Sequence, residues 1–148
     1  MSHLTADDLR QGFAAATRAL ERHREAINAL NVFPVPDGDT GNNMLLPMRS
    51  AMEKCPTAPD STLAEVAGGL ADGALWGARG NSGVLLSQFL KGFAEAPAEK
   101  LVCRTTDLAR VFSLALDAVY QAVGHVSYIP LTLPKTPFLK ETVISPPS

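Results

Sequence analysis

Two aspartates one residue apart, Asp37 and Asp39, carry the strongest chemical signal in this chain. They lie in the run NVFPVPDGDTGNNM, residues 31–44. Pro34 and Pro36 rule out regular helix there, and Gly38 and Gly41 disfavour a packed strand, so the carboxylates sit on a stiff, turning loop. Like charges held this close repel unless they face open solvent or gather around a cation. A solvated acidic turn is the commoner fate of an Asp-Gly-Asp triplet taken alone. Here the triplet lies between two helical segments, with the side-chain oxygens of Thr40, Asn42 and Asn43 behind it, and that setting favours a cation.

A second constellation, Gly77-Ala78-Arg79-Gly80-Asn81-Ser82-Gly83, stands at the start of a later helical segment. Glycines let a backbone approach a ligand closely, and first-turn amides present unpaired donors with partial positive charge. Arg79 adds a full charge, and Asn81 and Ser82 add neutral donors. Such a set suits a phosphate. The Walker ending Gly-Lys-Ser/Thr is missing, and the glycine spacing is not that of a dinucleotide fingerprint. Taken alone, the stretch is more often plain helix capping; beside an acidic loop it points to a metal–nucleotide site.

Other chemistries fit less well. A calcium loop beginning at Asp37 needs an oxygen ligand, a glycine and a glutamate at its fifth, sixth and twelfth positions, where this chain has Gly41, Asn42 and Met48. Zinc is disfavoured because His3, His23 and His125 are scattered and neither Cys55 nor Cys103 has a partner at ligand spacing. The net charge of −2 provides no basic field for nucleic acid. Two cysteines without a C-x-x-C pair read as free thiols in a reducing compartment. No secretory signal and no apolar run of membrane-spanning length is evident, so a soluble, cytoplasmic protein is expected. At 148 residues, 46% hydrophobic and 19% charged, the chain suits one globular domain.

The elements that must position these residues read as helices. Thr5 caps the first, with Asp7 and Asp8 in its opening turn and Leu9, Phe13, Ala16, Leu20, Ile27 and Leu30 on one stripe. A second is expected from about Asn42, a plausible cap, carrying Met44, Leu45, Met48 and Met52, with Pro47 tolerated near its start. A proline-marked linker, residues 55–60, precedes a third, which opens on a Thr62–Glu65 capping box and buries Leu63, Val66, Ala67, Leu70 and Ala74. A fourth runs through Val84, Leu85, Phe89 and Phe93, and a fifth from Thr106 through Val123. With no strand pattern before residue 124, the pattern predicts an all-α antiparallel bundle over residues 1–124. Residues 125–148 hold five of the eleven prolines and read as an extended or disordered tail.

The runs NALNVFPVPDGDTGNNM and GARGNSGVLLSQFLKGF resemble the N-terminal nucleotide-binding domain of bacterial fatty acid kinase. They are more distantly similar to the L-subunit (DhaL) domain of dihydroxyacetone kinases. The resemblance covers roughly residues 5–123. It implies a barrel of eight antiparallel helices, with ATP at one end and two magnesium ions held by loop aspartates. Asp37 and Asp39 match the magnesium-binding aspartates. Asn31 stands at a further metal position, where dihydroxyacetone kinases carry aspartate. Thr40 and Asn43 match positions near metal and nucleotide; Asn81, Ser82 and Gly83, with Arg79 before them, match the phosphate-contacting turn.

Two departures matter. Asn42 stands where the fatty acid kinases usually have threonine, a minor change that keeps a polar cap. After Val123, the family continues with a P-V-E-G-T-like turn and further helices, whereas this chain turns proline-rich, as a truncated or frameshifted gene would. Five amphipathic helices would leave an apolar stripe uncovered, a surface for self-association. The resemblance implies ATP-dependent phosphorylation of a fatty acid carboxylate presented by a separate binding protein. The alternatives are dihydroxyacetone kinase-type transfer with a separate substrate subunit, or a non-catalytic helical remnant.

Overall fold

In the computed structural model, the described residues are 3–95 and 103–128, and they form five helices and one very short antiparallel ladder. Strand β1, His3–Leu4, leads into α1, Ala6–Leu30. Thr5 is the N-cap: its hydroxyl accepts from the Asp8 amide at 3.1 Å, and its own N–H donates to Asp8 Oδ2 at 3.1 Å. That backbone N–H holds the Asp8 carboxyl below its ordinary pKa. Leu9 is buried, and Phe13 and Leu20 pack at the edge of the core. Two positions of the expected stripe, Ala16 and Leu30, are exposed instead. Thr17 takes a buried place, its hydroxyl donating to the Phe13 carbonyl at 2.8 Å.

Helix α2 spans Thr40–Lys54, and α3 spans Leu63–Gly77, antiparallel to it in the hairpin they form. The Thr62–Glu65 box is formed on both sides, with bonds of 3.1 and 2.8 Å. Small residues let the two helices close together: a Cβ on Gly73 or Gly77 would run into Ser50 and its neighbours on α2. Ala51, Val66 and Ala74 are wholly buried between them, joined by Met48, Leu70 and, from α4 (Gly80–Glu95), Leu90. Such side chains contribute roughly 1.5–3 kcal/mol each when fully buried, the alanines less. The segment between α2 and α3 is tied down by Arg10 of α1, whose Nε donates to the Pro56 carbonyl at 2.8 Å.

Strand β2, Cys103–Arg104, pairs with β1 through His3↔Arg104 and Leu4↔Cys103, a contact absent from the sequence expectation. It leads into α5, Thr105–Tyr128, which continues past the expected break at residue 124. The rest of the proline-rich tail, 129–148, lies outside the described residues. Helix α5 packs chiefly on α4, where Gly92 admits Ala115 and Ala118 within contact. An aromatic row, Phe13–Phe93–Phe112, links α1, α4 and α5 with centroid spacings of 6.3 and 5.8 Å. Beyond it, Phe112 and Leu116 are each 48% exposed, one turn apart on the same side of α5. Among the described residues, no helix is long and apolar enough to cross a membrane.

Two expectations are corrected. Asn42 does not cap α2, which begins at Thr40 with Asp39 as N-cap. Pro47 is not near the start; it is the eighth helical residue and fully buried. A proline there supplies no N–H to the carbonyl four residues back, that of Asn43.

Candidate functional site

The loop from 31 to 39 is held by short backbone bonds, Val32 N–H to Leu30 O at 3.0 Å and Asp37 N–H to Val35 O at 2.8 Å. Gly38 turns it at φ 62°, a conformation that favours glycine. Asp37 ends up exposed and Asp39 half-buried. The apolar side chains of the same loop, Val32, Phe33 and Val35, are all more than half exposed, and Leu30 beside them is 80% exposed.

Asp39 is the N-cap of α2, yet its carboxylate makes no capping hydrogen bond. Two asparagines of α1's end do that work. Asn31 Oδ1 accepts from the amides of Asp39 at 3.0 Å and Thr40 at 3.3 Å. Asn28 Oδ1 accepts from the Asn42 amide at 3.1 Å, and Asn28 Nδ2 donates to Asn42 Oδ1 at 3.2 Å. Gly41 is buried against this seam; a side chain there would strike the Arg24 carbonyl and lie 2.9 Å from Asn28 Oδ1. Asn28 was invisible as a site residue in the sequence. The available signal was its spacing of three from Asn31 at the end of a helix that runs into the acidic loop.

The second motif is built differently. Arg79 is exposed, Gly80 has φ 65°, and α4 begins at Gly80, so Asn81, Ser82 and Gly83 form its first turn. Among the described residues, no group accepts from the amides of this turn. Asn81 is exposed, Ser82 half-buried and Gly83 buried.

The two motifs meet at Asn43. Its side chain lies against Gly80, where any Cβ would collide with it, and its carbonyl faces Gly83, 2.6 Å from where a Cβ would sit. This is the carbonyl that Pro47 leaves without a helical donor, and α4's first turn covers it. Successive residues of α2 thus face opposite ways: Asn42 grips α1, and Asn43 seats α4. The acidic loop and the glycine-rich helix start are brought to one end of the bundle through this junction.

The donor set fits magnesium in kind. Asp37 and Asp39 offer hard carboxylate oxygens and Thr40 a hydroxyl, and magnesium is commonly held by one or two carboxylates together with phosphate oxygens and water. Among the described residues, no three histidine, cysteine or acidic side chains gather as a self-sufficient metal site. Phosphate oxygens of a nucleotide would add to the two carboxylates around a cation here. Gly80 and Gly83 pack directly on Asn43, which sets the start of α4 beside this loop.

Comparison with known proteins agrees with this construction. The DAK2 domain matches residues 34–133. Protein YloV of Bacillus subtilis is 40% identical over 109 residues, covering 74% of this chain and 20% of that protein. An uncharacterized protein of Staphylococcus haemolyticus is 38% identical over 120 residues, 81% of this chain and 21% of its own length. A Staphylococcus saprophyticus protein, also uncharacterized, is 38% identical over 104 residues, 70% of this chain and 19% of its own. The chain thus spans about a fifth of the length of the curated relatives it matches. A DAK2 match over most of the chain, on an all-helical scaffold that joins both motifs, shows that the chain belongs to the DAK2 domain family, a family of kinase-type helical domains.

Proposed function

We propose that this domain binds ATP together with magnesium and is the nucleotide-bearing part of a kinase that phosphorylates a fatty acid carboxylate. The observation that carries this reading is the Asn43 junction, which joins a two-carboxylate loop to an Arg79-flanked helix start. Asp37 and Asp39 would hold the metal, and two ions are expected from the resemblance. Thr40 and Asn43 would line the metal side of the phosphates. The α4 amides with Arg79, Asn81, Ser82 and Gly83 would hold the phosphate oxygens.

Magnesium, when bound, would neutralise phosphate charge and align it for transfer. The chain's own residues orient the nucleotide, and phosphoryl transfer asks mainly for such positioning. A fatty acid carboxylate is already ionised near neutral pH, so no protein base is needed, and the product is an acyl phosphate. The acceptor would come on a separate fatty-acid-binding protein; the exposed Val32, Phe33 and Val35 beside Asp37 offer it an apolar landing surface. Asn31, in place of the aspartate of dihydroxyacetone kinases, favours this acceptor over dihydroxyacetone.

A second reading, self-association, is favoured by the half-exposed Phe112 and Leu116 on α5. Calorimetric titration with ATP, with and without magnesium, tests the main reading. Binding that requires both magnesium and Asp39, and is lost in Asp39→Asn with helicity retained, is the expected outcome. A well-folded protein that binds no nucleotide would refute it and leave the domain an association module, which sedimentation would then reveal as a dimer or larger species.

A further inference from the structure

We infer that Asn28 and Asn31 are positioning residues, which cap α2 from outside so that both aspartates of the loop stay available to a cation. This rests on the metal–nucleotide reading above. An aspartate at an N-cap ordinarily turns its carboxylate onto the second or third amide of its own helix. Asp39 does not. Asn28 Oδ1, fourteen residues earlier, takes the third of those amides, that of Asn42, and Asn31 Oδ1 takes the adjoining amides of Asp39 itself and Thr40.

The same geometry separates Asn31 from a ligand's role. A carboxamide oxygen has two lone-pair directions, and Asn31 Oδ1 already receives two N–H groups, at 3.0 and 3.3 Å. The oxygen that the resemblance would aim at the metal is engaged by backbone. The capping oxygens also partly mask the positive end of α2, which would otherwise oppose a cation beside it. Gly41, seated on the Arg24 carbonyl and Asn28 Oδ1, keeps the first turn of α2 close enough for the bonds to form.

Manganese alone, followed by its paramagnetic resonance signal, is the probe, with amide hydrogen exchange as a second readout. Asn31→Ala should weaken manganese binding about tenfold, the size typical of lost outer-shell support. Asn31→Asp keeps an acceptor oxygen and should stay within about threefold of the native protein. Native affinity in Asn31→Ala, or equal weakening in both variants, would overturn the proposal. Asn28→Ala, which touches only the Asn42 contacts, serves if Asn31→Ala fails to fold, and a smaller loss in the same direction is expected; native affinity there overturns the proposal as well.

If the native protein takes up no manganese, the metal reading fails by itself. The capping half is then decided by exchange: the amides of Asp39, Thr40 and Asn42 should lose protection in the alanine variants. Unchanged protection would overturn it.

Discussion

The starts of α2 and α4 lie side by side, and they are finished in opposite ways. At α2, the amides of Asp39, Thr40 and Asn42 are taken up by asparagines at the end of α1, and two carboxylates stand just ahead. At α4, no acceptor for the first amides is found among the described residues, a glycine at positive φ leads in, and an arginine stands just ahead. One start has amides bound from outside and is flanked by negative charge; the other begins on a glycine and is flanked by positive charge. A phosphate bound through a cation needs both, at contact distance, and Asn43 supplies the contact.

The largest effect should come from removing one side of this contrast. Asp39→Asn should abolish the magnesium-dependent part of ATP binding and leave any weak magnesium-free binding at α4 unchanged, as read by calorimetry. Equal loss with and without magnesium would mean that the two starts act as one site. Gly80→Ala attacks the junction: it is forced into positive φ and onto the Asn43 side chain. It should cost about 1–2 kcal/mol of stability, seen in denaturant unfolding, and lower affinity on both sides together. Gly41→Ala places a methyl against the Arg24 carbonyl, and an overpacking loss of about 1–3 kcal/mol is expected, with magnesium dependence impaired first.

Arg79→Gln should do the reverse of Asp39→Asn. Because Arg79 is exposed, unfolding should shift by no more than about 0.5 kcal/mol, while nucleotide affinity drops with or without magnesium. The smallest effect belongs to α1, which caps itself and so serves as the reference. The Asp8 pKa is lowered in the folded protein by the Thr5 backbone N–H. Its contribution is therefore present above the ordinary carboxylate range and lost as pH falls through the lowered folded value. The difference in melting temperature between the native protein and Asp8→Asn should be constant above the ordinary carboxylate range and shrink as pH falls below it.

Self-capped helices were legible in the chain, because cap and partner lie three residues apart. Thr5 and the Thr62–Glu65 pair are where the pattern predicts them. The α2 start was not, because its acceptors come from eight and fourteen residues upstream and no local rule names them. Pro47 misled for a related reason. A buried mid-helix proline is tolerated here because a neighbouring helix covers the carbonyl it releases, which only the packing reveals. Burial followed the expected stripe along α3 and left it in part along α1, where Ala16 and Leu30 are exposed. On the site, both motifs were evident from residue type and spacing. Their meeting at Asn43, and the work of Asn28 and Asn31, depended on how α1, α2 and α4 pack.

The ladder between β1 and β2 bears on the order of folding. Most helices here pack on their neighbours in sequence, contacts that form early because little chain must be gathered to make them. The ladder joins His3 to Arg104 and so closes a loop of about a hundred residues, with only two residue pairs to repay the lost chain entropy. It should therefore form last and open first, releasing the beginning of the chain and the base of α5 in a single event.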